Sequence, residues 1–208
     1  QHAICFIMSI KSLKRASMLR VICVRTGDKF DSWYEDNLKH MIDTYSGLDY
    51  DEFVVIRDEN YDGVFNKLQM FDRYRDGQNI YFDLDQIITG DCNHLLKKDF
   101  TVCLAWWRKM YHTPLNSSIM SWEGDRSDIF KLFDADPEMY MMKYDKGMDQ
   151  YLYENIRYRL YTQEDGYCSV QTIPDKIKEY SIYLFNQNHQ QMLQPGWHHT
   201  FCIPTPKP

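Results

Sequence analysis

The sequence predicts an α/β domain with a mostly parallel central sheet flanked by helices. Three observations predict it. β-branched and aromatic runs recur at Arg20–Val24, Glu52–Ile56 and Ile80–Phe82, each ending in polar or glycine residues as buried strands do. Segments with apolar residues at helical spacing lie between them. The 208 residues, 44% hydrophobic and 26% charged, are globular in composition and sufficient for one such core. Strands alternating with helices run parallel, because the helix carries the chain back to the end where it started.

Taken in order, Arg20–Val24 reads as a first buried strand that Arg25-Thr26-Gly27-Asp28 breaks into a loop. Ser32-Trp33-Tyr34-Glu35 fits a capping box. Tyr34, Leu38, Met41, Ile42 and Tyr45 follow at helical spacing, and Gly47 closes that helix. Glu52–Ile56 is a second strand ending at Arg57-Asp58, and Asp62 caps a second helix carrying Phe65, Leu68 and Phe71. Ile80, Tyr81 and Phe82 then run straight into Asp83. The second half is less regular. Thr101–Trp106 and Asn116–Trp122 read as strands, the latter with a polar start, Ser127–Phe133 and Met148–Tyr153 as short helices, and Ser181–Phe185 as a final strand.

The domain is expected to span residues 18–190, with 1–17 an amino-terminal extension and 191–208 an irregular tail marked by Pro195, Pro204, Pro206 and Pro208. Met18 is a candidate start. Ala3–Ile10 is apolar but brief, and Lys11, Lys14 and Arg15 follow it, the reverse of a secretory signal. No apolar run reaches membrane-spanning length. The net charge of −6 offers no basic footprint for nucleic acid. The six cysteines include no C-x-x-C pair, and Cys23 and Cys103 sit inside strand-like runs. A reducing, cytoplasmic setting without disulfide framework or zinc knuckle is expected. Sixteen tyrosines and eleven phenylalanines supply stacking surfaces as well as core.

The chemistry gathers at Asp83-Leu84-Asp85. In extended chain, side chains two apart share a face, so these carboxylates would converge and repel unless a proton or cation lay between them. A hard divalent ion with oxygen ligands, Mn²⁺ or Mg²⁺, suits the pair; the plainer alternative is that two acidic residues simply end a strand. Ligands of open parallel sheets bind beyond the carboxyl ends of the strands. Arg25-Thr26-Gly27, Arg57-Asp58 and Asp83-Leu84-Asp85 would be neighbours on that rim. A glycine loop, a carboxylate for a base or ribose, and a metal pair together suit a nucleotide diphosphate.

Four segments in order, Phe65-Asn66-Lys67-Leu68, Tyr81-Phe82-Asp83-Leu84-Asp85, Leu115-Asn116-Ser117-Ser118-Ile119-Met120 and Gly147-Met148-Asp149-Gln150, give residues 20 to 155 a resemblance. The chain resembles the metal-dependent GT-A glycosyltransferases, especially the glycogenin-like and bacterial galactosyltransferase-like retaining enzymes. The resemblance implies a single GT-A-like, Rossmann-like domain. It also implies transfer of a hexose from a nucleotide-sugar donor, UDP-linked, to a hydroxyl of a saccharide or related acceptor, with Mn²⁺ or Mg²⁺ bound. Carried over by position, Asp83 and Asp85 are the metal and ribose carboxylates, with Leu84 between them, and Arg25, Thr26 and Gly27 border the nucleotide. Asp58 lies near the base, and Lys67 approaches the diphosphate or donor sugar. Asn116 borders the sugar pocket, and Asp149 with Gln150 faces the reacting carbon or the sugar hydroxyls.

Plainer readings stand beside these. Lys67 suits a solvated helix face, Asn116 a strand end, and Asp149 the cap of a helix starting at Gln150. Trp106 and Trp107 suit either a sugar platform or the core. In a retaining enzyme the leaving diphosphate takes the acceptor proton; in an inverting one Asp149 is the candidate base. The chain departs from the pattern near its carboxyl end. Relatives present a histidine where this chain has Phe185-Asn186-Gln187, leaving Asn186, His189, His198 and His199 as candidate third ligands. Two other functions fit less of the pattern. A haloacid-dehalogenase-like phosphatase would need Thr where Ile87 stands, and a non-catalytic nucleotide-sugar binder of the same fold would have a lapsed site.

Overall fold

A computed structural model describes residues 17–109, 113–170 and 180–185 of the chain. Its first half alternates strand and helix as expected: β1 (Leu19–Val24), α1 (Ser32–Tyr45), β2 (Glu52–Ile56), α2 (Gln69–Arg73) and β3 (Gln78–Phe82). Then come β4 (Gln86–Ile88), β5 (Thr101–Leu104), β6 (Leu115–Glu123), α3 (Ser127–Asp134), α4 (Pro137–Lys143) and α5 (Met148–Asn155). Three short strands follow, β7 (Arg159–Tyr161), β8 (Tyr167–Ser169) and β9 (Ile182–Leu184).

The central sheet has six strands in the order β2-β1-β3-β6-β5-β7. β1 is parallel to β2 and β3, and β5 to β7, while β6 is antiparallel to both β3 and β5; only β6 is therefore reversed. The fold is mixed α/β with a mostly parallel sheet. Strand alternation divides the core between the two faces. Val21, Cys23, Ile80 and Phe82 pack with α1 on one side, while Ile22, Tyr81, Met120 and Trp122 pack with α2, α3 and α5 on the other. β4, β9 and β8 form a small second sheet lying against α1. Cys23, Cys92, Cys103 and Cys168 are free and buried. No helix among the described residues is long and apolar enough to cross a membrane.

Several local expectations change. Residue Asp31, not Ser32, caps α1: its Oδ1 accepts from Trp33 N at 2.9 Å. Glu35, freed from a capping box, instead receives Arg25 at 2.9 Å and Arg57, tying the ends of β1 and β2 to the helix. Gly47 follows the helix with φ +67°, as a closing glycine should. Asp62 makes no side-chain cap bond, and the second helix opens as a 3₁₀ stretch, Gly63–Leu68, before α2. The strand read as Thr101–Trp106 stops at Leu104, where the chain turns and Arg108 N bonds Ala105 O at 2.9 Å. The expected extension 1–17 lies almost entirely outside the described residues, and the expected tail 191–208 lies entirely outside them.

Candidate active site

The parallel alignment of β1, β2 and β3 brings their following loops to one rim. Reversal of β6 brings its amino end to the same rim, where Asp83 N donates to Ser118 O at 2.9 Å. This explains the polar start of that strand. Its pairing with β5 jumps from Val102–Met120 to Cys103–Asn116, so Ser117, Ser118 and Ile119 are left out of the β5 ladder. Such an irregularity re-aims a strand end. Here it presents Asn116, Ser117 and Ser118 to a cleft of about 430 Å³, whose other walls include Thr26, Gly27, Lys67, Leu84 and the amino end of α5.

Asp83 and Asp85 both line this cleft, though not as neighbours on one strand face. β3 ends at Phe82, residues 83–85 form a bend, and β4 leaves for the second sheet. Both carboxylates reach the cleft by way of that bend, and the Asp83 charge acts on Asp85. Asp83 accepts from Lys67 Nζ at 2.5 Å and from the Tyr81 hydroxyl, and the Lys67 ammonium also lies 5.3 Å from the Tyr81 ring centroid. Burial pulls the Asp83 carboxyl upward, but the Lys67 charge and hydrogen bonds from Lys67, Tyr81 and Ser118 outweigh it and hold the group below its ordinary value. Asp85 is less well provided. Its side chain is 7% exposed and, among the described residues, its one ion pair is to the half-exposed Lys29, 3.7 Å from Oδ2. Burial and then the Asp83 charge push it up to about 7, against Lys29 and Lys67.

A hard cation fits this pair: two carboxylates supply oxygen ligands, and among the described residues Asp85 is ion-paired only with Lys29, at 3.7 Å. Among the described residues no group of three His, Cys, Asp or Glu side chains could hold a metal. The Phe185 N–H donates to Asp85 O at 3.0 Å, so β9 ends directly beside the pair. The third-ligand candidates Asn186, His189, His198 and His199 lie outside the described residues.

At the other end of the cleft, Asp149 is held from two sides. Its Oδ1 accepts from Ser117 N at 2.9 Å and its Oδ2 from Arg108 Nη2 at 2.8 Å. It does not cap a helix starting at Gln150. α5 starts at Met148 with Gly147 as its N-cap, at φ +71° and ψ −152°. That backbone region belongs to glycine, and a Cβ there would meet Val64 Cγ2 at 2.7 Å. Gly147→Ala is therefore expected to cost about 1–3 kcal/mol in urea unfolding; an unchanged midpoint would show that the turn relaxes freely.

Thr26, Gly27, Lys67, Asp83, Leu84, Asp85, Asn116 and Asp149 thus share one cleft. Three candidates point elsewhere. The Arg25 side chain is spent on Glu35, the Asp58 carboxylate pairs with Arg73 at 2.6 Å, and Gln150 bonds Glu154 at 2.9 Å. None of the three lines the cleft. Trp106 and Trp107 pack edge to face, 5.6 Å apart, against the α1-side core rather than in it. Sequence reasoning missed Lys29, Phe30, Arg108 and Lys146, which do line it. An arginine directly after an apolar strand and two tryptophans was the one available signal, for Arg108.

No family model and no curated protein matches the sequence. Solved structures do match in fold. A glycosyltransferase involved in the glycosylation of the major capsid of PBCV-1 is 11% identical with a TM-score of 0.54, the match covering 84% of this chain and 98% of that one. The glycosyltransferase GlyE of Streptococcus pneumoniae TIGR4 is 10% identical with a TM-score of 0.59, covering 80% of this chain and 55% of GlyE. Its apo form gives 11% identity and a TM-score of 0.53, with 82% and 55% covered. The chain has a glycosyltransferase fold, and it spans about half the length of GlyE, 55%.

Proposed function

We propose that the chain is a metal-dependent GT-A glycosyltransferase that moves a hexose from a UDP-linked sugar to a hydroxyl of a saccharide or related acceptor. The observation that carries this reading is the carboxylate pair Asp83 and Asp85 on the rim beyond β3, in one cleft with Lys67, Asn116 and Asp149. The fold likeness to glycosyltransferases supports it over the phosphatase reading. In this reading Asp83 and Asp85 hold Mn²⁺ or Mg²⁺, which offsets the charge developing on the departing diphosphate. Lys67, close to Asp83, turns its positive charge toward the same diphosphate. Thr26 and Gly27 border the nucleotide, and Asn116 and Asp149 orient the sugar. Asp149 has both oxygens engaged from behind, which fixes its remaining lone pairs for hydroxyl groups. The acceptor proton passes to the leaving diphosphate, with retention at the reacting carbon.

A thermal-shift panel of nucleotide sugars with and without Mn²⁺, followed by product analysis of any hit, tests this. A metal-dependent shift with a UDP sugar and release of UDP are expected. Equal UDP affinity by calorimetry in EDTA and in Mn²⁺ would remove the metal site; binding without turnover would favour the non-catalytic binder.

Lys67 provides a separate check. Lys67→Ala is expected to weaken UDP binding by about 1.5–3 kcal/mol, roughly ten- to over a hundredfold, and uridine binding much less. Because Asp83 then loses its cation, the unfolding midpoint should fall as well. Equal losses for uridine and UDP by calorimetry would show that Lys67 does not address the phosphates.

A further inference from the structure

We infer that Arg108 is a positioning residue for the sugar end of the cleft, acting through Asp149; this rests on the donor-site reading above. Its guanidinium joins the turn after β5 and the nearby entry to β6 to α5, which is distant in sequence. Nη1 donates to Thr113 Oγ1 at 3.1 Å and to Leu115 O at 2.7 Å, both at the entry to β6. Nη2 donates to Asp149 Oδ2 at 2.8 Å, in the first turn of α5. Arg108 itself stands on the turn after β5. The pair is well shielded, the side chains being 23% and 13% exposed.

The geometry calls for arginine. A planar fork sends donors in fixed directions to a carboxylate, a carbonyl and a hydroxyl together, whereas a lysine ammonium is a point charge on a flexible stem. The β5–β6 ladder skips Ser117–Ile119, so this segment is paired only on its β3 side, through Ile119 and Ser118 O, and Ser117 N is left to Asp149. Arg108 supports the free edge of that segment indirectly, holding Leu115 O just before it and Asp149, the acceptor of Ser117 N. Without it, Asp149 keeps one anchor, Ser117 N, and gains freedom about its side-chain torsions. Displacement of a substrate-orienting group by about 1 Å can cost on the order of 10²-fold in rate.

The test uses the full chain and UDP-sugar turnover, with UDP binding measured by calorimetry in Mn²⁺. Arg108→Met is expected to lower kcat/KM by about 10²-fold while leaving the UDP affinity near that of the wild type. Arg108→Lys should recover part of the loss. The double variant Arg108→Met with Asp149→Asn should be no slower than Asp149→Asn alone, because both changes disable one unit. Additive losses, or a fall in UDP affinity that parallels the rate, would overturn the proposal. A crystal structure of Arg108→Met supplies an arm independent of activity. With only Ser117 N left to hold it, the Asp149 carboxylate is expected to turn out of its wild-type rotamer, and an unchanged rotamer overturns the positioning role whatever the rates. A wild type that turns over no nucleotide sugar refutes the proposed function and leaves that structural arm readable.

Discussion

Asp85→Asn is expected to abolish metal-dependent UDP binding and, at the same time, to make the metal-free protein harder to unfold. The two effects have one cause. Asp85 is buried beside a second carboxylate, and among the described residues its one ion pair is to the half-exposed Lys29 at 3.7 Å. A binding site for a divalent ion must concentrate negative charge, and without the ion that concentration is a liability. The sign follows from linkage. The folded-state value of Asp85, about 7, lies above the ordinary carboxylate value of 3.8. Between these values the unfolded chain releases the proton more readily than the folded one, so Asp85 subtracts stability as pH rises through this window, and the full penalty applies above it. Asparagine removes the penalty. The gain should be negligible at pH 4 and about 2–4 kcal/mol at pH 8.5, given 1.36 kcal/mol per pKa unit. Asp83, whose value is lowered, works in the opposite direction below the ordinary carboxylate range and does not overlap this window. Urea unfolding of both proteins at pH 4 and 8.5 in EDTA measures the gain, and calorimetry with UDP and Mn²⁺ measures the loss. A variant that is destabilised at pH 8.5, or that keeps Mn²⁺-dependent UDP binding, would refute the assignment of Asp85.

How much of this site was legible in the sequence depended on whether a residue acts locally or through distant partners. The strands β1, β2 and β3 were visible because parallel buried strands are short apolar runs with polar ends, and their common rim follows from parallelism alone. Asp83 and Asp85 could be singled out as two carboxylates ending an apolar run, and Lys67, Asn116 and Asp149 through the resemblance of their segments to the GT-A enzymes; all five line the cleft. Arg25 and Asp58 were placed on the correct rim, but which way a rim side chain turns depends on its partners. Glu35 draws Arg25 toward α1, and Arg73 draws Asp58 toward α2. Those pairings span ten and fifteen residues and leave no periodic trace.

The second sheet was harder still. β4 and β8 are three residues each, too short for alternation to register, and nothing in Asp83-Leu84-Asp85 marks the bend from which β4 leaves; only β9 was legible, in the apolar run Ser181–Phe185. α4 was missed for a different reason. None of its residues is buried, so it carries no apolar stripe. Asp136-Pro137-Glu138 was nevertheless a readable start signal: Asp136 caps the helix through Met139 N, and proline occupies its first turn.

Asp149→Ser is expected to cut kcat/KM with a UDP sugar by about 10²–10³-fold, in the range found when one preorganised polar group is removed from an active site. Had Asp149 been the cap of a helix from Gln150, serine would have replaced it at little cost. Gly147 caps α5 instead, and Asp149 bridges Ser117 N and Arg108. Serine is too short to span that distance and carries no charge. Two structural costs follow: Ser117 N loses its acceptor, and Arg108 loses one of its three. Unfolding free energy should drop by about 1–3 kcal/mol, short of the full penalty for an isolated buried charge, because Thr113 and Leu115 still receive the guanidinium. Asp149→Asn separates the causes. It keeps the length and can still accept from Ser117 N, so it should lose less stability than serine yet remain slow, because the charge toward Arg108 and the sugar hydroxyls is gone. UDP affinity in Mn²⁺ should stay within about threefold of the wild type in both variants, since the carboxylate pair and Lys67 are untouched; threefold is about 0.7 kcal/mol, small beside a lost charged hydrogen bond. Turnover assays, calorimetry and urea unfolding on the same preparations distinguish the outcomes. Wild-type turnover in Asp149→Ser would remove Asp149 from the site, and a loss of UDP affinity equal to the loss of rate would mean that it supports the cleft as a whole rather than the sugar.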